Sequence, residues 1–241
     1  MSLVYDALKR VGLSVNAQLY SLDSDSTVDN CFEKLLRAES RRVFSTVLSN
    51  LAGGSTRPKT VLVCSASKGE GATTVGIGLA LAAADKRAGE VLLIDGNFHS
   101  PTASKVFRME DGGLAEYLAG DLANPGIKRT AIPALSLLAS GRIRGDHIQG
   151  METPKFRILL DKLSPLYQFI LVDGPAINAH PESVLYAPQV DRTLLIIHAG
   201  ETRGPVVRNA LSKLSAAGCN KVGVILNRRS FAIPQSVYKR L

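Results

Sequence analysis

Short apolar runs alternate with helical periodicities along most of this chain. Strand-like runs occur at 60–64, 91–94, 135–138, 169–172, 193–197 and 222–226. Helix-like stretches lie between most of them, at 73–88, 154–166 and 203–217. Strands that are apolar on both faces belong inside a parallel sheet with helices on both sides. The pattern therefore predicts an α/β fold, a doubly wound and mainly parallel sheet. Ligands in such folds sit beyond the carboxyl ends of the strands. Upstream, apolar residues fall at helical spacing from Cys31 to Leu51, at Phe32, Leu35, Leu36, Val43, Val47, Leu48 and Leu51. Gly53-Gly54 should end that helix. Residues 1–10 can form an amphipathic helix, and the Ser/Asp-rich stretch 14–29 reads as a linker. Four segments result: a helix with linker over 1–30, a helix over 31–56, a core domain over 57–230, and a short basic tail over 231–241.

Composition narrows this picture. The chain has 241 residues, 45% of them hydrophobic, which is enough for one real core. No apolar run approaches the roughly 18 residues of a membrane span, and the charged first 30 residues do not read as a secretory signal. Cys31, Cys64 and Cys219 are far apart and read as buried thiols of a reducing compartment. Four scattered histidines show no zinc spacing. The net charge is +8, with basic residues gathered before the core (Lys34, Arg37, Arg41, Arg42, Arg57, Lys59) and at the end (Arg228, Arg229, Lys239, Arg240). Such a surface suits nucleic acid, anionic lipid or an acidic partner, and equally an ordinary solvated face.

The chemistry concentrates at strand ends. The run Thr60–Cys64 leads into Ser65-Ala66-Ser67-Lys68-Gly69-Glu70-Gly71-Ala72-Thr73-Thr74 and then into an Ala- and Leu-rich helix. Strand, glycine loop and helix in that order form a phosphate-binding loop. Gly69 and Gly71 let backbone N–H groups turn inward, and the helix N-terminus adds partial positive charge. Thr73 stands where a hydroxyl holds Mg²⁺. Position 72 is where a lysine reaches the β- and γ-phosphates, and it holds Ala72. Two further strands end in acids: Val91-Leu92-Leu93-Ile94-Asp95 and Phe169-Ile170-Leu171-Val172-Asp173. An acid at a strand end can orient Mg²⁺ and its water, or cap the segment that follows.

The longer loop resembles the SAxPGEGKST loop of the bacterial tyrosine kinases, the cytoplasmic partners of polysaccharide co-polymerases, within the deviant-Walker, ParA/MinD-like ATPases. The stretch Asp95-Gly96-Asn97-Phe98-His99-Ser100-Pro101 resembles their DxDxRxP element, with Asn97 for the second aspartate and His99 for the arginine. Asp173-Gly174-Pro175 resembles DTPP. Ala199-Gly200-Glu201-Thr202 resembles the segment after the sixth strand, and Gly223–Asn227 resembles GVVLN, whose Asn lies near the adenine. Glu39 and Arg42 match the first half of the ExxRxxR helix that contacts a neighbouring subunit, while Ser45 stands for its second arginine. The kinases usually end in a tyrosine cluster; here only Tyr238 lies beyond residue 186.

The resemblance implies a nucleotide site built from Lys68, Gly69, Glu70, Gly71, Ala72, Thr73, Thr74 and Asn227, with Mg²⁺ on Thr73, Asp95 and Asp173. It implies ATP or ADP as ligand, bound weakly or not at all. It also implies a membrane co-polymerase of the Wzz/Wzc type as partner, an interface through Glu39 and Arg42, and a homo-oligomer as a further option. Nucleic acid is not an expected partner. The implied place is the cytoplasm, at the inner face of the plasma membrane. The substitutions point to a degenerate kinase acting as a regulatory or scaffold subunit in exopolysaccharide polymerisation and export. Two alternatives stay open: an active atypical tyrosine autokinase or ATPase that uses Lys68, and a ParA/MinD-like positioning ATPase.

Overall fold

The computed structural model describes residue 35 and residues 38–51, 59–85, 89–109, 111–142, 154–219 and 221–228. The expected helix at 1–10, the linker, the Gly53-Gly54 stop and the basic tail lie outside them. The chain runs α1 (Ala38–Leu51), β1 (Thr60–Ser65), α2 (Ala72–Asp85), β2 (Val91–Asp95), α3 (Thr102–Phe107) and α4 (Leu114–Ala119). It continues through β3 (Ile127–Arg129), β4 (Leu135–Leu138), α5 (Lys155–Leu163), β5 (Phe169–Asp173) and α6 (Glu182–Tyr186). A single 3₁₀ turn (Ala187–Gln189) leads to β6 (Arg192–His198), α7 (Gly204–Ala216) and β7 (Val222–Asn227).

The strands form one sheet in the order β3-β4-β2-β5-β1-β6-β7. All neighbours are parallel except β3, which lies antiparallel on β4. The alternation of side chains splits each central strand between two cores. Val61 and Val63 of β1 face the α1/α2 side, where Leu93, Leu171 and Ile196 join them. Leu62 and Cys64 face the other side with Ile94, Val172, Leu195 and residues of α4, α5 and α7. All six residues of β1 are buried, which is why its sequence reads as an unbroken apolar run.

Helix α2 is buried almost all round because it lies between the sheet and α1. Gly78 permits that layering: a Cβ there would strike the ring of Phe44 on α1. Phe44 thus takes the packing role expected of Val43, which is 62% exposed. Residues 43 and 44 differ by about 100° around a helix, and the face toward α2 falls on the larger side chain. An Arg41–Asp85 ion pair at 3.4 Å further joins α1 to the end of α2.

The expected strands are all present; the helices expected at 154–166 and 203–217 appear as the slightly shorter α5 and α7, and α2 starts one residue before the expected 73. The sequence pattern missed β3, α3, α4 and α6, each of three to six residues. Among the described residues no helix is long and apolar enough to cross a membrane.

Candidate functional site: a braced phosphate loop facing a buried acid pair

The carboxyl ends of β1, β2, β5, β6 and β7 converge on the loop 65–71. Gly69 and Gly71 have φ of +83° and +90°, a region L-residues avoid, so both positions require glycine. A Cβ on Gly69 would meet open space, whereas one on Gly71 would collide with the Asn227 side-chain amide. The loop delivers the chain into α2, whose first turn carries no acid. Its N-terminus is therefore free to favour an anion.

The shape of the loop is held from within and from the neighbouring strands. Glu70, which the family resemblance puts at the nucleotide, turns its side chain inward and is 4% exposed. Its carboxylate accepts the Ser67 N–H at 2.8 Å and the Thr202 hydroxyl. Thr202 in turn accepts the His198 N–H at 3.0 Å. Asn227 Nδ2 donates to the Glu70 carbonyl at 2.8 Å. Asn227 therefore braces the loop itself, and Ala199–Thr202 joins the brace from β6. Lys68 is exposed at the loop's turn. Ala72 is 8% exposed and packs into the α1/α2 core. Thr73 and Thr74 follow it, both half-buried.

Asp95 and Asp173 lie opposite each other in the register of β2 and β5. Both are buried, at 0% and 1% exposed. Asp95 is fully engaged: Oδ2 accepts the N–H and the hydroxyl of Ser104, each at 2.7 Å, and Oδ1 accepts the Asn97 N–H at 3.2 Å. Burial nevertheless raises its carboxyl from 3.8 to about 6, against the opposing effect of Ser104. Asp173 is raised more strongly, by burial first and then by the charge of Asp95. The Thr73 hydroxyl lies close enough to favour the charged form, yet neither Asp173 oxygen completes a protein hydrogen bond. A capping role for Asp173 is thereby excluded, since a cap would be bonded to N–H groups. Buried carboxylate oxygens without partners, beside a hydroxyl at a helix start, are a donor set that fits a small hard dication such as Mg²⁺.

The substituted positions have local roles. Asn97 Oδ1 accepts the Ser100 N–H at 3.2 Å, closing the turn after β2. His99 Nε2 lies 2.7 Å from Glu182 Oε1, and its ring stacks on His180 with centroids 3.6 Å apart. The histidines that looked scattered along the chain thus include a pair joined across two loops. Burial first, then His99 and Lys68, lower the proton affinity of His180. Arg42 is exposed on α1, and the side chain of Glu39 lies outside the described residues.

The kinase domain of VpsO is similar to this chain over 83% of its length and 99% of its own, at 30% identity and a TM-score of 0.72. This chain belongs to the bacterial tyrosine-kinase family. Tyrosine-protein kinase CpsD of Streptococcus pneumoniae is 27% identical over 195 residues, 79% of this chain and 85% of that protein. A wider likeness of fold reaches the septum site-determining protein MinD of Pyrococcus horikoshii, a structure complexed with Mg-ADP. It has a TM-score of 0.58 at 22% identity, over 75% of this chain and 76% of that one. No protein-family model matches the chain. The family and the P-loop fold inferred from the strand-end motifs are thus established, and the relatives are associated with tyrosine kinase activity.

Proposed function

We propose that this family member binds ATP or ADP with Mg²⁺ weakly, transfers phosphate slowly or not at all, and serves as a regulatory or scaffold subunit of exopolysaccharide or capsule polymerisation and export. The observation that carries the reading is Ala72: a buried methyl occupies the loop position from which a lysine would reach the phosphates. Asn97, spent on closing a turn, adds to it, since an amide cannot take a proton from an attacking hydroxyl. Backbone N–H groups of the loop and the start of α2 would hold the phosphates. Thr73 and Asp173 would hold Mg²⁺, with Asp95 behind them fixed by Ser104. The metal would supply charge neutralisation on the phosphate oxygens. Docking on the cytoplasmic face of a membrane co-polymerase of the Wzz/Wzc type, and self-association through Glu39 and Arg42, belong to the same reading.

A charge-assisted hydrogen bond to phosphate contributes about 1.5–3 kcal/mol, or roughly 10- to 150-fold in affinity. Calorimetric titration with Mg-ATP should therefore show an Ala72→Lys variant binding at least about tenfold tighter than the natural chain. Tyrosine autophosphorylation by the natural chain, lost on Asp173→Ala, would refute the proposal. One observation favours a second reading, an active kinase using Lys68: that side chain is exposed on the loop and close enough to His180 to affect its protonation. Loss of turnover on Lys68→Ala is the outcome that reading requires.

A further inference from the structure

The pair His99 and His180 meets Glu182 at the mouth of the site, and one candidate ligand atom from each lies within 4.8 Å of the others. We propose that His99, His180 and Glu182 form a binding site for a divalent transition-metal ion of the zinc class, separate from any Mg²⁺ at the acid pair.

The geometry supports this in three ways. First, the carboxylate of Glu182 is completely buried. A carboxylate so far from water favours a cation held against it, and His99 Nε2 already lies 2.7 Å from it. Second, the two imidazoles stack with planes 14° apart. Stacking brings the two rings within reach of one another, and turning one ring out of the stack aims both in-plane lone pairs at one ion, the neutral imidazole being the form that ligates metal. Third, Nε2 of His180 is shielded from solvent and has no hydrogen-bond partner among the described residues. A lone pair or N–H left in that state costs free energy that metal ligation, or a tautomer exchange accompanying it, removes.

The frame is already assembled. The N–H groups of Ala179 and His180 both donate to the Ala176 carbonyl, and the Ser183 hydroxyl donates to the Pro175 carbonyl at 2.6 Å. Tyr186 ties this loop to the other through its hydroxyl, which donates to the Gly96 carbonyl. Ligand atoms on one tetrahedral zinc lie about 3.3 Å apart, given bonds near 2.0–2.1 Å. An ion here would widen the 2.7 Å His99–Glu182 contact and draw one imidazole out of the stack. Two nitrogens and one carboxylate suit zinc rather than magnesium, which prefers oxygen alone. Three protein ligands at a partly exposed position also leave a fourth place open to water. The ion would lock the loops following β2 and β5, the strands that end in Asp95 and Asp173.

The test uses the full chain stripped of metal. Zn²⁺ is titrated against a chromophoric chelator in excess Mg²⁺, with Co²⁺ as a spectroscopic substitute. The expected result is one Zn²⁺ per chain that Mg²⁺ does not displace. Affinity should fall at least tenfold in both His99→Ala and His180→Ala and stay unchanged in Cys31→Ser. Zn²⁺ should also raise the melting temperature of the natural chain and not of a folded His180→Ala variant. Should that variant not fold, the Co²⁺ complex of the natural chain decides: absorption typical of four- or five-coordinate Co²⁺ supports the site. Its absence, sub-stoichiometric binding, or unchanged affinity in both histidine variants overturns the proposal and leaves a simple His99–Glu182 ion pair.

Discussion

Replacing Asp173 by Asn should flatten the pH dependence of folding stability in the metal-free protein. The reason lies in the paired strand ends. Asp95 titrates at about 6 when folded and near 3.8 when unfolded, and burial pushes Asp173 the same way. The sign follows from proton counting. Between these values the folded state binds more protons than the unfolded state, so stability falls as pH rises. The contribution is complete below about 3.8 and gone above about 6. Two units correspond to about 3 kcal/mol for Asp95 alone. Asp173 is raised too, by burial and by the charge of Asp95, and the two carboxyls titrate as a coupled pair. Its removal should therefore reduce the loss of stability between pH 4 and pH 7. Urea unfolding in EDTA at both pH values measures this, and the comparison of slopes cancels any constant packing cost of the new amide. A variant whose difference matches the natural chain to within about 1 kcal/mol would refute the reasoning. Saturating Mg²⁺ should restore the natural chain at pH 7 and leave the variant unmoved.

Other predictions follow from the brace around the loop. Gly71→Ala, forced to φ near +90° and against the Asn227 amide, should cost at least about 1–2 kcal/mol in urea unfolding. Asn227→Ala removes the bond to the Glu70 carbonyl and should cost about 1 kcal/mol, while raising the dissociation constant for Mg-ADP in calorimetry. Glu70→Ala leaves the Ser67 N–H without its acceptor; it should cost about 1–3 kcal/mol, and amide hydrogen exchange at Ser67 should accelerate.

The central fold and the acid pair were legible because β1, β2 and β5 carry their information locally. Five or six consecutive buried residues make a recognisable run, and an acid at the end of such a run is conspicuous. The edge strand β3 has one apolar residue in three, so its pairing with β4 left little trace in the sequence. Helices α3, α4 and α6 span less than two turns, too short for periodicity to register. The bracing role of the Glu70 side chain left no trace in the sequence for a different reason. Its position in the motif suggested a ligand contact, while its partner Thr202 comes from the far end of β6. The His99–His180–Glu182 group was invisible because strand order, not sequence spacing, brings the loops after β2 and β5 together. Only His180 and Glu182, two positions apart, offered a local hint.

The inward turn of Glu70 has one more implication. A glycine loop that depends on phosphate to order its backbone would lose its shape along with its ligand. Here the Glu70 side chain accepts from the Ser67 N–H and the Thr202 hydroxyl, and Asn227 donates to the Glu70 carbonyl. The loop's shape thus rests on bonds within the protein. An Ala72→Lys exchange would therefore alter the charge of the pocket without removing any of these bracing bonds.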